Sequence, residues 1–276
     1  MKLSIVLSTH PAQFEAVAFK GDFQKHISEI AGLGYDGVEL AIRDPNLVNS
    51  TELGQMIASH DLVVPGIGTG QAWGEEGLSF TSDDPSIRAA AIDRTLAHIS
   101  LAAQFNAIII VGLLRGVTPS GHSKEESMAY LVDALKVCCS SAAEKEVRLA
   151  LEPLNRYETD LINNVSEGLS LIQHVGVENL GLLLDTFHMN IEEPSITDSI
   201  RACGNRIFHF HVADSNRWYP GAGHLDFIPI LEALYQAGYG GYISGEFMPQ
   251  PDANTAAKLG IAHLRNLQEE RLAFHD

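Results

Sequence analysis

The sequence predicts a (β/α)₈ TIM barrel that forms a single domain over residues 1–276. Short apolar runs alternate with longer segments of helical period, which is typical of a parallel sheet with covering helices. Eight such pairs are present, and the length of 276 residues is close to the ~250 typical of this barrel. An open doubly wound sheet would alternate in the same way, but eight pairs without a dinucleotide-binding fingerprint favour a closed barrel.

The expected elements follow each other in strict alternation. The strands are the apolar runs at residues 2–8, 36–41, 62–67, 107–112, 147–152, 180–185, 206–211 and 241–246. The helices are the segments of helical period at residues 20–32, 51–60, 85–105, 123–145, 165–175, 195–203, 226–238 and 253–272. Glycines end the first and seventh helices, and the third begins at Asp84-Pro85, with proline at its first position.

Four polar residues, Glu152, Asp185, His211 and Glu246, end four successive predicted strands. An isolated acid there is usually a helix cap or a loop charge, and Asp185 in particular could cap a helix. However, the strands of a parallel barrel all end at one mouth, so the recurrence predicts one shared metal site. Three carboxylates and one imidazole suit a divalent cation: we favour Mn²⁺, with Co²⁺, Mg²⁺ and Zn²⁺ as alternatives.

Two neighbouring features are interpreted more conservatively. His209 lies on the same strand face as His211 but one layer deeper, and we expect a hydrogen-bonded residue of the core or one that supports the metal ligands. The glycine-rich segment 66–70 follows a strand, as a dinucleotide loop would. Its glycine spacing is wrong and residues 71–77 do not open a helix, so we expect a mobile loop over the mouth, with Trp73 available to cover a ligand.

Charge and composition narrow the class of partner. The chain has 18 Lys and Arg against 35 Asp and Glu, a net charge of −17 that disfavours nucleic acid and anionic membranes. The N-terminal apolar run is too short for a signal peptide, and no stretch approaches the ~18 apolar residues of a membrane span. The three cysteines suggest no disulfide framework. We therefore expect a cytoplasmic protein with a small-molecule substrate.

Three long segments carry a family resemblance: residues 152–159, 185–193 and 209–217. They resemble the ketose 3-epimerase branch of the xylose-isomerase-like TIM barrels, which includes D-tagatose and D-psicose 3-epimerases, and the resemblance covers nearly the whole chain. Within that branch, residues 66–72 and 112–116 look most like the epimerases of 5-keto-L-gluconate. The resemblance implies a sugar or sugar-acid substrate and a homo-oligomer, dimeric or tetrameric.

The resemblance also implies residue roles. The metal ligands would be Glu152, Asp185, His211 and Glu246, the acid/base pair Glu152 and Glu246, and the substrate-holding residues Glu158, His188 and Arg217. This agrees with the residue types: a divalent ion can stabilise the cis-enediolate formed when the carbon next to a ketone loses its proton, and two carboxylates can exchange protons on opposite faces.

The predicted reaction is therefore epimerisation next to the ketone of a ketose or keto sugar acid, with 5-keto-L-gluconate and D-tagaturonate favoured. The alternatives are a neutral ketohexose 3-epimerase, a hydroxypyruvate-type isomerase, an endonuclease-IV-like repair enzyme, which the net charge disfavours, and a non-catalytic sugar-binding barrel. Arg115 and Arg43 follow predicted strands, so both are expected to face the mouth. Arg115 is expected to bind a substrate carboxylate, with a structural salt bridge as the alternative, and for Arg43 the salt bridge is the favoured interpretation.

Overall fold

The computed structural model describes residues 1–275, with the side chains of residues 1–270. Within these residues, nine parallel strands form one sheet, and β1 pairs with both β3 and β9, which closes eight of the strands into a barrel. The predicted TIM barrel is therefore confirmed. The strands are β1 Lys2–Ser8, β2 Phe19–Lys20, β3 Gly37–Ala41, β4 Gly66–Gly68, β5 Ile108–Val111, β6 Leu149–Leu151, β7 Leu180–Asp185, β8 Ile207–Val212 and β9 Tyr242–Gly245.

The third predicted strand, at residues 62–67, is mostly wrong in its bounds. Only an isolated bridge between Gly37 and Val63 precedes β4, which begins at Gly66. Pro65 lies between the bridge and the strand, and its missing N–H removes a donor from the ladder there. The two-residue β2, which extends the sheet beside β1, was not expected.

Ten α-helices lie in the described part of the chain, and eight of them correspond to the predicted helices. They are α1 Phe23–Gly32, α2 Ser50–Ala58, α3 Gly70–Glu76, α4 Pro85–Phe105, α5 Lys124–Ala143, α6 Val165–Val175, α7 Thr186–Glu192, α8 Ile196–Cys203, α9 Phe227–Gln236 and α10 Ala253–His275. As in the sequence prediction, α4 begins at Pro85, and the Asp84 side chain accepts from the Ser86 N–H.

The helix α3 contradicts the expectation that residues 71–77 form a mobile loop. Two glycines give this segment a poor intrinsic helix propensity, so the sequence alone disfavours a helix. Long-range bonds offset that deficit: Gln71 Nε2 donates to Ser8 Oγ at 2.8 Å, and Glu75 pairs with Arg43 and His10. The rejection of a dinucleotide site therefore depends on the glycine spacing alone.

The barrel interior is filled by apolar side chains below the mouth, among them Ile108, Ile110 and Leu183. Gly66 makes room for them, because a Cβ at that position would lie 3.0 Å from Ile110 Cδ1. This packed floor leaves the C-terminal ends of the strands as the place where polar side chains can gather. In the described residues, we find no helix with the length and apolar character needed to span a bilayer.

Candidate metal centre and active site

The structure brings the four predicted ligands together at the C-terminal end of the barrel. Glu152 directly follows β6, Asp185 ends β7, His211 lies near the end of β8, and Glu246 directly follows β9. One ligand atom from each residue lies within 4.8 Å of the ligand atoms of the other three. Four adjacent strands thus place three carboxylates and one imidazole around a single point.

Asp185 performs the local structural role and faces the cluster at the same time. Its Oδ1 accepts from the Phe187 N–H at 2.8 Å and so caps α7. Its Oδ2 is buried and has no hydrogen-bond partner. Asp185 therefore does cap a helix, as the simpler interpretation of the sequence suggested. The cap uses only one carboxylate oxygen, and the other is available to bind a cation.

The unpartnered atoms of this cluster test whether it fits a metal ion. Glu152 Oε1, Asp185 Oδ2 and His211 Nδ1 are all buried without a hydrogen-bond partner. His211 Nδ1 lies 3.8 Å from Glu152 Oε1 and 3.9 Å from Glu246 Oε2. Buried polar atoms without partners are costly, and a divalent cation would satisfy all of them at once. The donor set therefore fits a metal ion of the kind expected from the sequence.

Electrostatics support the same conclusion. Burial raises the pKa of Glu152 well above its usual value, and the nearby Glu246 raises it further. Burial also raises the pKa of Glu246, to about 7, against the opposing effects of His211 and Arg217. Carboxylates held together in this way repel one another when ionised, and a bound cation would lower both pKa values again.

Glu39, which the sequence analysis did not select, lies directly behind His211. It is 2% exposed, and its carboxylate bonds both His211 Nε2 and His209 Nε2. Burial alone would raise the pKa of Glu39, but the two histidines outweigh it and hold that pKa well below the usual value. His209 is therefore a hydrogen-bonded residue beneath the cluster, as expected. An acid inside an otherwise apolar strand was the signal that could have identified Glu39.

His188, on α7, presents one ring nitrogen to the cluster. Its Nδ1 accepts from the Asn155 Nδ2–H at 2.8 Å, so the ring proton belongs on Nε2. That Nε2 is buried without a partner, 3.8 Å from both Glu152 Oε1 and Asp185 Oδ2. Burial, Arg217 and Arg115 lower the pKa of His188 well below its usual value. The neutral ring thus has an N–H donor to offer to a ligand.

Arg217 and Glu158 form a salt bridge beside the cluster. Arg217 Nη1 donates to Glu158 Oε1 at 3.1 Å, and its Nη2 lies 3.5 Å from Glu246 Oε2. The guanidinium stands between the rings of Phe14 and Phe187, at 5.1 and 4.7 Å from their centroids. Arg217 is therefore not a solvated surface charge, and its side chain is only 14% exposed.

These groups open into a cavity of about 290 Å³, a size suited to a small ligand. Its wall includes Glu152, His211 and Glu246 of the cluster and, from α3, Gly70, Gln71, Trp73, Gly74 and Glu75. Among the lining side chains are Phe14, Trp73, Leu154, Glu158, His188 and Arg217. Trp73 therefore lines the cavity, as expected, although it does so from a helix.

Arg115 does not face this cavity, contrary to the expectation. The short 3₁₀ turn Leu113–Arg115 redirects the chain after β5, and the side chain is fully buried. Its Nε donates to Gly112 O at 3.0 Å, and its Nη1 donates to the carbonyl oxygens of Leu161 and Ile162. Burial lowers the pKa of Arg115 to about 10. The side chain joins the loop after β5 to the loop after β6, and its Nη2 is buried without a hydrogen-bond partner.

We therefore expect Arg115→Ala to destabilise the fold and to affect all substrates alike. The substitution would remove the guanidinium bonds to three buried carbonyl oxygens and open a cavity, a cost of roughly 3 kcal/mol. Urea unfolding would measure the loss of stability, with Arg115→Met as the variant that keeps most of the volume. A fall in kcat/KM for an acidic substrate alone, with unchanged stability, would instead support a direct contact between Arg115 and a substrate carboxylate.

Arg43 is also placed away from the central cavity. Its Nη1 bonds Glu75 Oε2 at 3.2 Å, and its Nε lies 3.3 Å from Glu76 Oε1. Arg43 lines a separate surface depression with His10 and Asp44. The structural salt bridge, the interpretation favoured for Arg43 from the sequence, is thus also the one that the structure supports.

Comparisons with known proteins agree with this architecture. Residues 27–267 match the model of a family described as xylose isomerase-like TIM barrel. The chain is 31% identical to D-psicose 3-epimerase of Agrobacterium fabrum, over 86% of this chain and 82% of the relative. It is 32% identical to L-ribulose 3-epimerase of a Methylomonas species, over 84% and 82%. A solved structure of an L-ribulose 3-epimerase superposes with a TM-score of 0.84 and 25% identity, over 99% of this chain and 96% of that one.

Proposed function

The chain belongs to the xylose isomerase-like TIM barrel family, and we propose that it is a metal-dependent epimerase that inverts the carbon next to the ketone of a ketose or keto sugar acid. Its relatives place it among the isomerases that epimerise carbohydrates. The observation that carries the proposal is the convergence of Glu152, Asp185, His211 and Glu246, three of them with a buried, unpartnered atom facing the others.

The two glutamates would perform the proton transfers. Inversion requires that a proton leaves one face of the reacting carbon and that another arrives on the opposite face. Glu152 and Glu246 follow different strands, β6 and β9, and both line the cavity. A bound divalent ion would polarise the ketone and the neighbouring hydroxyl group. The proton on the reacting carbon would then be more acidic.

The remaining polar groups would hold the substrate. His188 Nε2–H is a donor without a partner, and Arg217 offers a cation that is already oriented by Glu158. Gln71 Oε1 is a buried, unpartnered acceptor in the cavity wall, suited to a sugar hydroxyl. Donors and acceptors distributed in this way suit a polyhydroxy compound.

For the substrate itself, we propose a keto sugar acid, 5-keto-L-gluconate interconverted with D-tagaturonate. The segments that resemble epimerases of this acid, 66–72 and 112–116, both contribute to the cavity wall, through Gly68 to Gln71 and through Gly112 and Leu113. Arg115 is not among the residues that line that wall. The contacts to a carboxylate would therefore come from other donors of the wall, such as His188 Nε2–H and Arg217.

One observation favours a second candidate, a neutral ketose such as D-psicose, D-tagatose or L-ribulose. Among the described residues that line the cavity, Arg217 is the only lysine or arginine, and it is already paired with Glu158 and Glu246. A wall without a free cation suits an uncharged end of the sugar. The two relatives named above carry neutral ketoses in their names.

A substrate panel tests both candidates. With added Mn²⁺, we expect kcat/KM for the hexulosonate to exceed that for D-tagatose, D-fructose and L-ribulose by about 10-fold or more. A 10-fold difference corresponds to ~1.4 kcal/mol of transition-state binding. The assay should be run in D₂O, because deuterium at an inverted carbon separates epimerisation from a hydroxypyruvate-type isomerisation. Higher kcat/KM for a neutral ketose would establish the second candidate, and no inversion on any substrate would contradict the proposed function.

A further inference from the structure

We infer that Glu39 positions the proposed metal ligand His211, by accepting hydrogen bonds from the Nε2–H groups of His211 and His209 at the same time. This inference rests on the proposed function, because it concerns the same metal site. Glu39 lies in the middle of β3, between the fully buried Val38 and Leu40. It therefore reaches the cluster from a strand that contributes none of the four proposed ligands.

The contacts of Glu39 leave little freedom to either histidine. Its Oε2 lies 2.7 Å from His209 Nε2, and its two oxygens lie 3.0 and 3.1 Å from His211 Nε2. All three side chains are at most 3% exposed. Among the described residues, no lysine or arginine forms an ion pair with Glu39, and the two imidazoles are the groups that bond its carboxylate.

The direction of these bonds determines which nitrogen of His211 is available to a cation. An ionised carboxylate only accepts, so His211 Nε2 must carry a proton. The other nitrogen, Nδ1, is the one that lies 3.8 Å from Glu152 Oε1 and 3.9 Å from Glu246 Oε2. Glu39 thereby holds the ring in the tautomer whose lone pair points into the cluster. A carboxylate behind a ligating histidine also increases its basicity, and its loss typically weakens metal binding by ~10–100-fold.

The same three residues could in principle bind an ion of their own, since their ligand atoms lie within 4.8 Å of one another. The distances between the carboxylate oxygens and the ring nitrogens are 2.7–3.1 Å, the range of ordinary hydrogen bonds. A second ion here would also require His211 to bind metal through both nitrogens. We therefore place protons between these groups, and one ion per chain is the expected stoichiometry.

Titration of chelator-stripped protein with Mn²⁺, with the free ion followed by electron paramagnetic resonance, tests the inference. For Glu39→Gln we expect one site per chain, with a Kd about 10–100-fold higher than in the wild type. The amide can accept one Nε2–H but presents its own N–H to the other ring. An unchanged Kd would overturn the inference, and so would a second wild-type site that disappears in the variant.

Two further variants separate positioning from a general loss of packing. Glu167→Gln is the matched control: Glu167 accepts from the Asn163 N–H, away from the cluster, and a wild-type Kd is expected. If Glu39→Gln does not fold, Glu39→Asp moves the carboxylate back by about 1.5 Å and should also raise the Kd. A lower Tm of the metal-free protein with an unchanged Kd would show a merely structural role.

These measurements need no substrate, so the two proposals can fail separately. A wild-type protein that binds one Mn²⁺ but inverts no sugar would contradict the proposed function alone. A Glu39→Gln protein with wild-type metal affinity would contradict the role of Glu39 alone.

Discussion

Glu246→Gln is expected to lower the rate of epimerisation by about 10² or more while one of the two epimers still exchanges its reacting proton with solvent. In the proposed reaction each glutamate serves one face of the substrate. With an amide in place of the Glu246 carboxylate, the epimer that Glu152 deprotonates can still lose its proton, but the proton can return only on the same face. Exchange without inversion is therefore the expected signature of the variant.

The measurement is the incorporation of deuterium from D₂O into each epimer, followed by proton magnetic resonance with Mn²⁺ replaced by diamagnetic Mg²⁺. Wild-type protein should label both epimers and interconvert them, whereas the variant should label one. Glu167→Gln is again the control for a carboxylate-to-amide change remote from the cluster. Near-normal epimerisation by Glu246→Gln would exclude Glu246 from proton transfer, and loss of exchange from both epimers would point to loss of the metal ion.

The pKa of Glu246 makes this role chemically reasonable. Burial raises that pKa to about 7 without a cation, and coordination lowers it. Opposing effects of this kind can leave a carboxylate able both to accept and to return a proton near neutral pH. A ligand position therefore does not by itself disqualify a general base.

The placement of the four clustered residues could be predicted because it follows from topology. Glu152, Asp185, His211 and Glu246 each end an apolar run, and parallel strands in a barrel all end on one side. That inference needs no side-chain detail, only the order of the elements. The helix boundaries at Pro85 and Val175 were also predictable, since proline and glycine mark them locally.

The features that could not be predicted depend on contacts between residues that are distant in the sequence, and no local sequence pattern indicates such contacts. Arg115 was expected at the mouth because it follows a strand, but the 3₁₀ turn after β5 directs its side chain beneath the loop. Glu39 and the two histidines are about 170 residues apart in the sequence, so their contact appears only when β3 and β8 face each other across the barrel. The helix α3 depends on Ser8 and Arg43, from other parts of the chain.

Asp185→Asn is expected to weaken metal binding by about 10² or more and to remove turnover, while it leaves the fold intact. The structure makes this a sharper test than Asp185→Ala. An asparagine can still accept from the Phe187 N–H and cap α7, but it replaces the free Oδ2 with an N–H that would point at the cation. The alanine variant would lose both the ligand and the cap, the latter at a cost of ~1 kcal/mol.

Mn²⁺ titration and thermal unfolding of the metal-free proteins separate the two roles of Asp185. Asp226→Asn is the matched control, because Asp226 caps α9 through the Ile228 N–H and has no part in the cluster. Wild-type affinity should fall with acid, since burial raises the pKa of Glu246 to about 7 and that of Glu152 well above its usual value, and both must lose their protons before they can bind a cation. The Asp185→Asn variant retains Glu246. Its Mn²⁺ affinity should therefore also fall with acid, with a higher Kd than the wild type at each pH. Full turnover by chelator-stripped wild-type protein would remove the metal ion from the proposed reaction, and wild-type affinity in Asp185→Asn would remove Asp185 from the proposed ligands.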